Sequence, residues 1–253
     1  MGGVDEIDWE KYAHEYAEWI RQNDNKKIIG YFELDVDVVI GYERVKQLRA
    51  ILEQVTDKII PVWHKNRGIE EFKRMCHETK GNIVAITGFR NEDIKDNQYG
   101  MFVKYAHQCG KKIHCLGMTR TAILSKIPFD YTDSSSWIQA ASFGRAYEFD
   151  THSGKMKSHP VPKSISYRQL RKINILETQK MAKYYNLRWS RICKDKHFKW
   201  RFVISRLLKL GVIFNEKRKN AKYGKNRNYC CSLCSSNVVD ISNEFWSGAS
   251  SLL

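Results

Sequence analysis

No window of the sequence approaches the roughly 18 consecutive apolar residues a membrane-spanning helix needs, so no such helix and no membrane partner are expected. The opening MGGVDEIDWEKY is acidic and lacks a basic stretch followed by an apolar one, which predicts no secretory signal there. Cysteine occurs 7 times at irregular spacing, the pattern of reduced thiols and not of a disulfide framework, and this predicts a cytoplasmic protein. There is no G-x-x-x-x-G-K-[ST] phosphate loop, and no Ser-His-Asp arrangement can be inferred from order alone. The His-x-His that opens amidohydrolase-like barrels is also absent.

Hydrophobic residues make up 42% and aromatics 12% of the 253-residue chain, a globular composition with room for one or two domains. The net charge of +15 is unevenly spread: between Lys155 and Asn228, 22 Lys and Arg face three acids (Glu177, Asp195, Glu216). That segment carries +19, which leaves −4 for everything else. A mildly acidic domain joined to a basic one predicts a polyanionic partner, because each neutralised phosphate releases condensed counterions. A solvated surface kept soluble by its charge is the alternative.

Trp9, Tyr12, Tyr16, Trp19 and Ile20 recur at helical spacing within 5–22. Short apolar runs then alternate with helical patterns at a period of about 25 residues, as in βαβ units. Strands are predicted at 28–39, 59–64, 82–89, 112–118 and 130–137, with helices at 43–55, 69–79 and 120–126 and another around Tyr99–Ala106. Asp35 and Asp37, His64, Gly88, Gly117 with Thr119, and Asp133 with Ser134, Ser135 and Ser136 all stand at or just after strand C-termini. That edge carries the active sites of (β/α) barrels and open α/β sheets alike. Taken singly, Asp35, Thr119 or Ser134 could equally cap a helix. Neighbouring strand residues face opposite sides, so at most one of Asp35 and Asp37 is expected in a site.

The predicted organisation is a (β/α) TIM-barrel-like catalytic domain over 1–150, a Pro- and Ser-containing linker at 151–164, a basic helical segment over 165–235 and a tail at 236–253. Within the basic segment, helices are expected at 174–187 and 198–214, loosely like a helix-turn-helix. Arg188, Arg191, Lys199, Arg201, Arg206, Lys217, Arg218 and Lys219 are its candidate phosphate contacts. Cys231 and Cys234 form one C-x-x-C, beside Cys230, and Cys193 with His197 could complete a zinc tetrahedron. Incidental reduced thiols are the simpler reading, and no cofactor is expected.

The segment KKIHCLGMTRTAILSKIPFDYTDSSSW (111–137) resembles the tRNA-guanine transglycosylase superfamily, in particular its shorter viral and mobile-element relatives associated with DNA. In that family a strand ending in a Leu-Gly pair, here Leu116-Gly117, precedes the strand bearing a nucleophilic aspartate, here Asp133. YFELDVD (31–37), PVWH (61–64) and AITGF (85–89) match, in order, the family's base-pocket strand, the next inner strand and a glycine strand. The resemblance implies exchange of guanine in DNA or tRNA for a 7-deazaguanine through a covalent Asp133 glycosyl intermediate. Asp35 or Asp37 would then read the base, with Asp35 a candidate second catalytic acid. Gly88 and Gly117 would allow close approach, and His64, His114, Thr119, Ser134, Ser135 and Trp137 would line the pocket. The family's first strand, with its Asp-Ser-Gly motif, and its three-cysteine zinc site have no counterpart here.

An aspartate suits such chemistry, because it is ionised at neutral pH and can form and release a glycosyl ester. Two other classes stay open. One is a nucleic-acid-binding protein whose (β/α) domain has lost its chemistry. The other is a metal-dependent barrel hydrolase using Asp35, Asp37, His64, His114 and Asp133.

Overall fold

Asp8 accepts a hydrogen bond from the Lys11 amide at 3.0 Å and so caps helix α1 (Trp9–Asn23). One face of α1 buries Ala13, Tyr16, Ala17 and Ile20, the 3–4 spacing visible in the sequence. Strand β1 (Ile28–Phe32) follows, then the single turn α2 (Asp37–Ile40) and helix α3 (Tyr42–Glu53). Val45, Leu48 and Leu52 of α3 meet the buried face of α1 over β1 in one apolar cluster. Each such side chain taken fully from water contributes about 1.5–3 kcal/mol.

The computed structural model describes residues 7–88 and 93–192 in full, and the backbone alone at 201–202 and 237–239. These residues divide between two compact units, one within Met1–Val84 and Ile204–Leu253, the other within Ala85–Val203.

In the first unit β1 pairs parallel with β2 (Ile59–Ile60) and antiparallel with the strand Asn237–Val239. The strand expected over 59–64 is broken by Pro61, which has no N–H to give a ladder, and resumes as β3 (Val62–Trp63). A 3-10 turn at Lys65–Arg67 leads into helix α4 (Gly68–Glu78). The run expected as one strand over 28–39 stops at Phe32, and Asp37 already begins a helical turn.

β4 (Ile83–Thr87) leads into the second unit, which continues with α5 (Tyr99–Gln108), β5 (Lys112–Leu116), α6 (Thr121–Leu124), β6 (Tyr131–Thr132) and α7 (Ser136–Ser142). Then come β7 (Arg145–Asp150), β8 (Lys155–Pro160), the long helix α8 (Tyr167–Ile192) and β9 (Arg201–Phe202). The strand order is β4-β5-β6-β9, with β5 parallel to β6 and β6 parallel to β9. Parallel strands separated by helices make the chain a mixed α/β protein, as the periodicity predicts. Among the described residues no helix is long and apolar enough to cross a membrane.

Three local expectations need correction. Residues 151–164 are not an open linker: β7 and β8 form an antiparallel hairpin running from Arg145↔Pro160 to Asp150↔Lys155. The Asp150 carboxylate closes its turn by accepting the His152 amide and the Ser153 hydroxyl, and Pro160 is tolerated because it ends the strand. The helix expected over 174–187, with an ambiguous stretch after it, is one 26-residue helix, α8. Leu170, Asn174, Thr178, Met181, Tyr185 and Trp189 keep a 3–4 spacing through both segments and are all buried. Finally, Arg201 and Phe202, expected inside a helix over 198–214, pair with β6 as strand; the rest of that helix and the zinc candidates Cys193, His197, Cys231 and Cys234 lie outside the described residues.

Candidate functional site

β1 delivers an acidic run, Glu33, Asp35 and Asp37, just beyond its last residue. Because the strand has ended, two-residue alternation no longer separates Asp35 from Asp37. Ligand atoms of Asp35, Asp37 and His64 lie within 4.8 Å of one another, so both aspartates enter one cluster, contrary to the expectation of one. His64, immediately after β3, sets Nε2 at 2.9 Å from both oxygens of Asp35. Asn66 donates to Asp37 Oδ2 at 3.3 Å.

At the centre stands a residue the sequence did not single out. Arg67 has a fully buried side chain that donates through Nε to Asp37 at 3.1 Å, through one terminal nitrogen to Asp35 at 3.3 Å, and through the other to Glu33 at 2.9 Å and to the Val62 carbonyl. The guanidinium carbon also lies 4.1 Å from the centre of the Tyr42 ring, a cation–π contact. Glu33, itself fully buried, takes a second guanidinium from Arg49 at 3.1 Å and the Val62 amide at 2.9 Å. Burial alone would raise the pKa of Asp37; Arg67, His64 and Asn66 outweigh it and hold the carboxyl below its ordinary value. For Glu33 the order reverses, and burial keeps its pKa raised against both guanidiniums.

The second unit carries the Asp133 cluster. Asp133 directly follows β6 and is buried. Its Oδ1 accepts the Gly117 amide at 2.8 Å and lies 3.3 Å from Nε2 of the fully buried His114. Gly117 can aim that N–H because it adopts φ +67°, a left-handed conformation open to glycine. The His114 ring stacks on Tyr131 with centroids 6.2 Å apart.

Gly88 lies against the end of β5: a Cβ there would sit 2.8 Å from Cys115 Sγ and 2.9 Å from the Leu116 carbonyl. Its amide donates to that carbonyl at 2.7 Å. Burial, with Asp133 adding to it, pushes the Cys115 thiol well up, so this cysteine is a protonated packing residue and not a nucleophile.

The remaining candidates separate by role. The Ser134 hydroxyl accepts the Ser136 amide at 3.0 Å and closes the turn into α7, which is the capping alternative. Ser135 is the residue before α7 and makes no side-chain cap. The Thr119 and Ser136 hydroxyls meet at 3.4 Å. Trp137 is half-buried on α7, and its carbonyl accepts from Asn174 at 3.0 Å. Arg188 and Arg191 are exposed on α8. Arg201 is described by its backbone alone, and Lys199, Arg206, Lys217, Arg218 and Lys219 fall outside the described residues.

No family model and no curated protein sequence matches this chain. Among solved structures it is similar to a xylose isomerase-like TIM barrel protein from Mycobacterium smegmatis in complex with magnesium. That similarity has a TM-score of 0.31 at 10% identity, over 81% of this chain and 84% of that one. At such a score it bears on neither fold nor function.

Proposed function

We propose that the chain is a base-exchange transglycosylase that replaces guanine in nucleic acid, DNA in preference to tRNA, with a 7-deazaguanine. On this reading the parallel strands belong to a (β/α) TIM-barrel-like fold. The observation that carries the proposal is the 2.8 Å hydrogen bond from the Gly117 amide to Asp133 Oδ1. It fixes the carboxylate at the end of β6 and thereby orients its second oxygen, as a nucleophile requires. The segment 111–137, the most specific part of the resemblance, contains both partners.

In the first step an Asp133 oxygen bonds to the anomeric carbon as the glycosidic C–N bond breaks through an oxocarbenium-like transition state. The bonding electrons leave with the guanine, which takes up one proton from a general acid. In the second step a nitrogen of the incoming base displaces the Asp133 ester, gives its proton to the conjugate base of that acid, and returns the carboxylate. The target base must first leave the stack. By the resemblance, Asp35 or Asp37 would read its Watson–Crick edge. Arg188 and Arg191, exposed on α8, belong to the basic segment that would hold phosphates.

The test is incorporation of labelled guanine or 7-deazaguanine into guanine-containing duplex DNA and, separately, into tRNA. Incorporation that vanishes in Asp133→Asn, with an unchanged melting temperature, is the expected result. Tight, salt-sensitive binding without incorporation would sink the enzyme reading and leave a nucleic-acid-binding protein. A metal-dependent hydrolase is the second reading, favoured by the closeness of Asp35, Asp37 and His64.

A further inference from the structure

We infer that Arg67 is the built-in cation of the Asp35–Asp37–His64 cluster: it fills the role a divalent ion would play there and positions both carboxylates to accept hydrogen bonds from a neutral ligand. That the ligand is a purine-like base rests on the transglycosylase reading; that Arg67 replaces a metal does not.

A divalent ion bound by carboxylates needs lone pairs on several of them at once. Arg67 engages one oxygen on each of Asp35, Asp37 and Glu33, at 3.3, 3.1 and 2.9 Å, and a backbone carbonyl besides. Its side chain has no solvent exposure, so it cannot swing out to make way without taking a guanidinium from three acids that are almost wholly buried. The planar fork is well matched to three acceptors, because its N–H groups point along fixed directions that a lysine could not reproduce. The Tyr42 ring, 4.1 Å from the guanidinium carbon, covers one face and further limits rotation.

The charge count agrees. Glu33, Asp35 and Asp37 carry at most three negative charges, and Arg67 and Arg49 return two. A further +2 would leave the cluster in excess of positive charge at close range. What remains is a pair of carboxyl groups held in place by Arg67, whose oxygens suit N–H groups of an uncharged ring.

Mn2+ titration of the full chain, followed by electron paramagnetic resonance, tests this without reference to activity. The wild type should bind no Mn2+ at the cluster up to about millimolar metal. Arg67→Met should gain a site at least tenfold tighter, and adding Asp35→Asn should abolish it. If Arg67→Met fails to fold, Glu33→Gln/Arg67→Met leaves no carboxylate stranded by the lost guanidinium at Glu33 and serves in its place. Arg67→Lys, with its charge kept but its fork lost, should stay metal-free and raise KM for the incoming base more than it lowers kcat. Wild-type Mn2+ binding that Asp35→Asn removes would overturn the inference and favour the hydrolase. So would a folded Arg67→Met, or its double variant, that gains no metal site. A metal-free wild type with no base exchange would refute the transglycosylase reading and leave the role of Arg67 standing.

Discussion

Asn174 is fully buried in the middle of α8, where asparagine has no local reason to be. Its reason is tertiary. The side-chain oxygen accepts the Tyr147 amide at 2.7 Å, and the side-chain nitrogen donates to the Trp137 and Arg145 carbonyls, both at 3.0 Å. One side chain thus ties together α7, β7 and α8. Replacing it by alanine removes three hydrogen bonds, each worth about 1 kcal/mol net, and leaves the Tyr147 N–H without its acceptor, at about 1–3 kcal/mol. The two carbonyls each keep a second lone pair, so they add little beyond the lost bonds. Asn174→Ala should therefore destabilise the protein by about 4–6 kcal/mol. This is a large share of the roughly 5–15 kcal/mol that holds a typical domain together. Denaturant unfolding at neutral pH, followed by far-ultraviolet circular dichroism, reads it directly, with Gln179→Ala on the exposed face of α8 as a control within about 0.5 kcal/mol of wild type. A loss below about 1 kcal/mol in a folded Asn174→Ala would refute the reasoning.

Gly88→Ala places a methyl 2.8 Å from Cys115 Sγ and 2.9 Å from the Leu116 carbonyl. The expected cost is about 1–3 kcal/mol, read as a lower melting temperature, and Cys115→Ala should relieve only part of it because the carbonyl stays. His107 donates to Asp130 Oδ2 at 2.7 Å, and this hydrogen bond raises the imidazole pKa against partial burial. The folded value lies above the unfolded one, so the pair stabilises fully below the unfolded pKa and fades as pH rises through the folded value. His107→Gln should then lose stability relative to wild type at pH 5.5 and converge with it at about pH 9, by no more than about 1 kcal/mol because the histidine is partly exposed. A gap that is constant with pH would assign the effect to packing.

The alternation of apolar runs and helical patterns foretold the α/β class, because the buried strands are short and nearly continuous in apolar residues. Asp133 and Gly117 were legible as a pair, since both follow strands in an ordered segment; the positive φ that joins them was not. The Asp35–Asp37 cluster was half read. Strand alternation is a sound rule, but nothing local shows that β1 ends at Phe32. Arg67 was missed because its partners come from 30, 32 and 34 positions upstream, and in sequence it looks like an ordinary cation before a helix. The β7–β8 hairpin was hidden by its composition: Ser, Lys and Pro suit an exposed edge strand as well as they suit a linker.

The second half of the Ala85–Val203 unit is assembled almost entirely from chain neighbours. β7 pairs with β8 across a four-residue turn, and Asn174 binds Tyr147, Arg145 and Trp137 from at most 37 positions away. Near its C-terminus α8 reaches further back, where Tyr185 and Trp189 donate to the carbonyls of Thr121 and Leu124, 64 and 65 positions upstream. Little loop-closure entropy opposes the hairpin and the start of the helix, whereas the two aromatic anchors must wait for the rest of the unit. Refolding should accordingly show α7, β7, β8 and the first turns of α8 protected from hydrogen exchange before the last turns. Substitutions at Tyr185 or Trp189 should speed unfolding while leaving the folding rate almost unchanged.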